Sequence, residues 1–118
     1  MNTLERAKQL RDRTKAFAVG IIKAFSGLPK HEATRVMGRQ FLRSGASVAA
    51  NYTAACRAGS AADFISKISV VAEDAGETLF WLELLVKAEL TEPNFVESLM
   101  NECDELLKIF SASLATAK

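Results

Sequence analysis

Residues 61–89 read AADFISKISVVAEDAGETLFWLELLVKAE, and the spacing of their apolar side chains decides the fold. Phe64, Ile68, Val71, Ala75, Thr78, Leu82 and Leu85 follow one another at steps of three and four, which puts them on one stripe of an α-helix. Ile65, Ala72, Leu79 and Val86 make a second face beside it, while Phe80, Trp81 and Leu84 point elsewhere again. The C-terminal half of the segment is therefore apolar nearly all round. That is more than one side of a small bundle can cover, and it predicts burial against another subunit, with Phe80, Trp81 and Leu84 as interface candidates. Upstream, Ser60 and Asp63 have the spacing of a capping box, so the helix starts directly after Gly59.

Working outward, residues 32–57 repeat the pattern with Met37, Phe41, Gly45, Val48, Tyr52 and Ala55 on one face. Ser44, Gly45, Ala46, Ser47, Ala49 and Ala50 make this the segment that a neighbour can approach most closely. Gly45 inside a helix costs about 1 kcal/mol against alanine, and close contact with another helix is the expected compensation. Residues 3–26 carry Leu10, Thr14, Phe17, Ile21 and Ala24, continued by Leu28. A basic amphipathic N-terminus is also compatible with a transit peptide or a membrane-surface helix. The unbroken register of its apolar stripe favours a core helix, ended by Gly27-Leu28-Pro29. Thr91-Glu92-Pro93 opens a fourth segment, 92–113, with Phe95, Val96, Leu99, Cys103, Leu106, Leu107, Phe110 and Leu114. Four helices with short links predict one all-α domain over residues 1–118, an antiparallel up-down-up-down four-helix bundle.

A chain of 118 residues, 49% apolar and with two prolines, can bury a core without disulfides or metals. Cys56 and Cys103 have no CxxC spacing and read as reduced thiols of a cytoplasmic protein. No apolar run is long enough for a membrane span. The near-neutral total hides an asymmetry. Residues 1–59 hold eleven Lys/Arg against three Asp/Glu, and residues 60–118 hold four against eleven. Such a split marks either a nucleic-acid-binding half or two halves that neutralise each other within or between subunits.

On the second segment, Gln40, Ser44, Ser47 and Asn51 share a face beside the apolar stripe, a polar seam suited to fixing the register of a neighbouring helix. Arg35, Arg39 and Arg43 lie next to it, with Arg57 further along. Guanidinium groups so spaced suit phosphates. Equally, they suit Glu73, Asp74 and Glu77, where Glu73 and Glu77 repel at i, i+4 and want a cation between them. Arg43 is the expected partner. Tyr52 and Trp81 read as core or interface anchors. The one histidine, His31, stands by the Pro29 turn, which argues against a di-iron bundle with its Glu-x-x-His pairs. No phosphate loop, nucleophile elbow or zinc spacing occurs, so neither cofactor nor enzymatic activity is expected.

The run Gln40-Phe41-Leu42-Arg43-Ser44-Gly45-Ala46-Ser47-Val48-Ala49-Ala50-Asn51-Tyr52 is followed by Ala55-Cys56-Arg57-Ala58, Ser60 and Asp63-Phe64-Ile65. Together with Glu73-Asp74-Ala75-Gly76-Glu77-Thr78-Leu79-Phe80-Trp81-Leu82-Glu83-Leu84-Leu85, it resembles the four-helix bundle family of 23S rRNA intervening-sequence proteins. The resemblance implies a bacterial cytosolic bundle assembling as a ring-like homopentamer. A related branch, the accessory proteins of diversity-generating retroelements, binds nucleic acid and a reverse transcriptase. The chain differs from the family pattern at Thr53 and Ala61, where basic residues are common, and at Gly59 and Gly76, where larger ones are usual. The function expected is a non-enzymatic homo-oligomer that binds RNA or DNA through Arg6, Arg11, Arg13, Lys15, Arg35, Arg39 and Arg57. The competing expectation is a protein–protein scaffold whose basic half is neutralised by acidic surface.

Overall fold

The computed structural model describes residues 2–117, which fold into four α-helices: α1 (Thr3–Ser26), α2 (Glu32–Ala55), α3 (Ala61–Lys87) and α4 (Pro93–Ala117). Each helix packs against the next along the chain and α1 meets α4 across the thinnest seam, giving an antiparallel bundle 44 Å long. The stripes read from the sequence are the core. Phe17, Ile21, Phe41, Val48, Ile68, Val71, Ala75, Leu82, Leu85, Val96, Leu106 and Phe110 are buried along its length.

Local chemistry sets the ends. Asn2 caps α1 by accepting from the Glu5 amide at 2.8 Å. Ser60 caps α3 by accepting from the Asp63 amide at 3.1 Å, and the Asp63 carboxylate accepts from Gly59 N–H at 3.4 Å. The Lys67 ammonium, donating at 2.7 Å, holds the Asp63 carboxyl below its ordinary value. Gly27 ends α1 with right-handed backbone, so its glycine is not there for a left-handed turn. A Cβ at that position would stand 2.9 Å from the Phe95 ring, and packing is the reason for it.

Three boundaries differ from the sequence reading. α2 ends at Ala55 instead of 57, and α4 runs on to Ala117, past the fraying expected after Ser113. α3 stops at Lys87 instead of 89 because Glu89 adopts φ 60°. Leu90 N–H donates to the Leu85 carbonyl and Glu89 N–H to Val86, the paired bonds of a Schellman motif. Glutamate here occupies the left-handed position that glycine usually fills, so no composition signal marked the stop.

The close approach foreseen for α2 is present. A Cβ at Gly45 would lie 2.8 Å from Ile21 Cγ1, and one at Gly38 would lie 3.1 Å from the Phe25 ring. On the other side of the bundle Ala75 leaves room for Cys103, whose thiol donates to the Ala75 carbonyl at 3.2 Å and is pushed up to about 12 by burial. Tyr52 corrects an expectation. It is 6% exposed, lies in this chain's own core with its ring 5.6 Å from that of Phe110, and so is not an interface residue. Burial, with the Cys56 thiol beside it, raises its phenol above the ordinary range.

Two glycine-related substitutions should move stability in opposite directions in denaturant melts. Gly45→Ala should lower it by about 1–3 kcal/mol, because the clash with buried Ile21 outweighs the gain in helix propensity. Glu89→Gly should raise it by about 1 kcal/mol by relieving the left-handed residue.

Candidate nucleic-acid interface and the polar seam

The α2–α3 contact is organised by the polar seam. Ser44 and Thr78 are both fully buried, and their hydroxyls lie 2.8 Å apart. Ser44 Oγ also donates back to the Gln40 carbonyl at 2.9 Å, and Thr78 Oγ1 lies 2.7 Å from the Asp74 carbonyl. Two protons thus serve three short contacts in a place closed to water. One step along, Asn51 Nδ2 donates to Asp74 Oδ2 at 2.8 Å. One residue before Ser44, Arg43 pairs with Glu77, which also accepts from the Trp81 indole N–H at 3.3 Å. Gln40 Oε1 sits 3.5 Å from the same guanidinium. Among the described residues, Ser47 is half-buried and makes no cross-helix side-chain bond.

Arg43 therefore takes the partner expected of it, Glu77, while Glu73 stays exposed. The pair is partly solvated, with side chains 55% and 35% exposed, and such pairs contribute no more than about 1 kcal/mol. Asp74 and Thr78 were missed as partners of the seam. Thr78 reads as one more member of an apolar stripe, and only the antiparallel register reveals whom it faces. Once Arg43 is set against Glu77, that register brings Ser44 to Thr78 and Asn51 to Asp74.

The cations expected to meet nucleic acid divide into two groups. Arg13 is spoken for: its Nε and Nη2 donate to the two Glu102 oxygens at 2.7 Å each, and Nη2 also reaches Glu105 at 3.0 Å. This fork spans the thin α1–α4 seam, beside a groove of about 700 Å³ floored by Phe17, Gly20 and Leu99 and edged by Glu97, Glu102 and Glu105. The hydrogen bond to Glu102 raises the Arg13 pKa above its ordinary value. Arg13 is thus a structural cation, and neither glutamate was foreseen as its partner. Arg35 shares Glu32 at 3.4 Å. Arg6, Arg11, Lys15, Arg39 and Arg57 form no ion pair among the described residues. Arg6, Lys15, Arg39 and Arg57 are exposed and Arg11 is half-buried.

The proposed interface residues other than Tyr52 are on the outside of α3. Phe80 is 54% exposed, its ring edge-on to Trp81 at 5.0 Å, and Trp81 and Leu84 are half-buried. Among the described residues no group of three or more His, Cys, Asp and Glu side chains is placed to hold a metal ion. Among the described residues no helix is long and apolar enough to cross a membrane.

A family model described as 23S rRNA-intervening sequence protein matches residues 7–112. Among solved structures, the chain is similar to a crystal structure from Bacteroides thetaiotaomicron VPI-5482, described as a protein with unknown function from the S23 ribosomal protein family. The two share 36% identity with a TM-score of 0.81, over 88% of this chain and 96% of that one. No curated protein matches the sequence.

The half-buried Asp74 gives a pH test. Desolvation raises its pKa, with Asn51 acting in the opposite direction. A carboxyl whose folded pKa is raised binds more protons when folded. Its contribution is therefore most favourable at low pH and is lost as pH rises through the raised value. Asp74→Asn keeps a hydrogen-bonding amide opposite Asn51 and should raise the melting temperature at pH 7. That advantage should shrink as the pH is lowered and wild-type Asp74 takes up its proton, as followed by thermal melts from pH 7 to 3.

Proposed function

This chain belongs to the 23S rRNA-intervening sequence protein family, and we propose that it is a non-enzymatic, self-associating helical bundle that binds RNA or DNA through the cations of α1 and α2. The observation that carries this reading is the uneven matching of charge. Lys67 and Lys108, on the acidic half, are held by Asp63 and Asp104 on their own helices. On the basic half, Arg6, Lys8, Arg11, Lys15, Arg39 and Arg57 have no carboxylate partner among the described residues. A cationic surface left unneutralised by its own fold suits a polyanion, whose condensed counterions are released on contact. Arg6, Lys8 and Arg11 lie within the first half of α1 and Lys15 just past its middle, and Arg57, just past the end of α2, belongs to the same end of the bundle as the start of α1. That end is the favoured contact surface.

A second reading, a protein–protein scaffold with no nucleic-acid role, draws on the pairs Arg13 with Glu102 and Glu105, and Arg43 with Glu77. There the basic half is neutralised by the chain's own acidic half.

A gel-shift titration against a structured RNA and a DNA duplex at several salt concentrations separates the two. Nucleic-acid binding predicts affinity that falls steeply with salt. The triple variant Arg6→Ala, Arg11→Ala, Lys15→Ala should reduce the log–log slope by about 2 to 3, at 0.7–0.9 per lost phosphate contact. Absence of any shifted band at low salt would leave the scaffold reading standing.

A further inference from the structure

We infer that the groove between α1 and α4 is a docking site for a basic amphipathic helix of another protein. This use is separate from the polyanion surface proposed above and does not depend on it.

The groove exists because neither wall reaches across it. Arg13 and Gly20 on α1, and Gly27 at its cap, are points of contact with α4. Arg13 holds Glu102 and Glu105. A Cβ at Gly20 would stand 2.9 Å from Leu99 Cδ2, and one at Gly27 would stand 2.9 Å from the Phe95 ring. Around these contacts α1 walls the hollow with Ala16 and Gly20, and α4 with the short side chains of Asn94, Ser98 and Asn101. What remains is a space of about 700 Å³ over buried Phe17 and half-buried Leu99. Its lining runs from Asn94 to Glu105, about 16 Å of α4 or three turns. Two antiparallel helices with an apolar valley between them present the ridges on which a third helix packs.

Charge selects the occupant. Glu97, Glu102 and Glu105 edge the groove, and among the described residues Arg13 is the one cation that pairs with any of them. Three carboxylates against one guanidinium leave the rim with two uncompensated negative charges. Residues 16–22 of α1 carry no charge, so this stretch of wall has nothing to repel a cation. The fitting partner therefore has Lys or Arg along the flank that faces α4, and small or medium apolar side chains towards Phe17 and Leu99. A second copy of this chain is the poorer match. On the exposed side of its α1, Lys8, Lys15, Val19 and Ile22 fall in one row. Cations and apolar side chains there succeed one another, where the groove asks for them side by side.

Fluorescence anisotropy with a synthetic helix tests the site. The probe is a labelled helical peptide of Leu, Ala and Lys with its lysines along one flank, titrated at about 0.15 M salt so that distant charges are screened. Wild-type protein should bind it. Glu97→Lys, which reverses the rim, and Ala16→Trp, which fills the groove, should each weaken binding at least about tenfold with helical circular dichroism unchanged. Glu73→Lys, the same charge change on the exposed side of α3, should alter affinity by less than about threefold. Ser98→Trp, on the opposite wall, repeats the block should Ala16→Trp not fold. No binding by wild type, equal weakening by Glu97→Lys and Glu73→Lys, or full binding by a folded tryptophan variant would overturn the site. An assembly mass in light scattering that falls on Ala16→Trp would give the groove to a second copy and overturn the partner helix.

Discussion

The register of α2 against α3 depends first on one buried pair of hydroxyls. Ser44 and Thr78 sit where no water reaches, each tied to a carbonyl of its own helix and to each other. Sliding α3 along α2 by one turn would separate them, leaving each hydroxyl only the carbonyl of its own helix and losing a buried cross-helix hydrogen bond of about 1 kcal/mol. Such a shift would also part Asn51 from Asp74 and Arg43 from Glu77. The outer pairs, being partly solvated, add little energy, but they agree with the inner one on the same register. Apolar burial makes α2 and α3 associate, and the polar seam selects which alignment they keep.

Much of this is legible in the sequence. The stripes in residues 10–28, 41–55 and 64–85 become buried rows because helical periodicity is a property of one segment at a time. The Arg43–Glu77 pair was legible too, since two like charges at i, i+4 want a cation between them. What escaped depends on pairs of segments. Thr78 carries no mark that distinguishes a polar partner from a tolerated stripe residue. Tyr52 reads equally as core or interface until Phe110, 58 positions later, closes over it. Glu102 and Glu105 become partners of Arg13 only when the last helix folds back on the first. The stop at Glu89 was invisible for a different reason: the turn takes a left-handed residue and the sequence supplies no glycine.

The separation of charge between the two halves of the chain survives folding. Because the basic helices are neighbours and the acidic helices are neighbours, the bundle has a positive flank and a negative one, stitched together among the described residues by the ion pairs of Arg13 and Arg43. An up-down bundle with alternating basic and acidic helices would have cancelled its charges at every seam. The chain order here leaves a positive surface and a negative one, each open to groups of the opposite sign.

The burial of Cys103 has a consequence of another kind. A thiol with its pKa near 12 carries almost no thiolate at neutral pH, and the thiolate is the species that peroxides, electrophiles and disulfides attack. Its sulfur lies between α3 and α4, against the Ala75 carbonyl. Chemical modification of that atom therefore waits on the parting of those two helices. The residue amounts to a clock set inside the protein, silent while the bundle is closed, whose rate of alkylation counts the openings of its core.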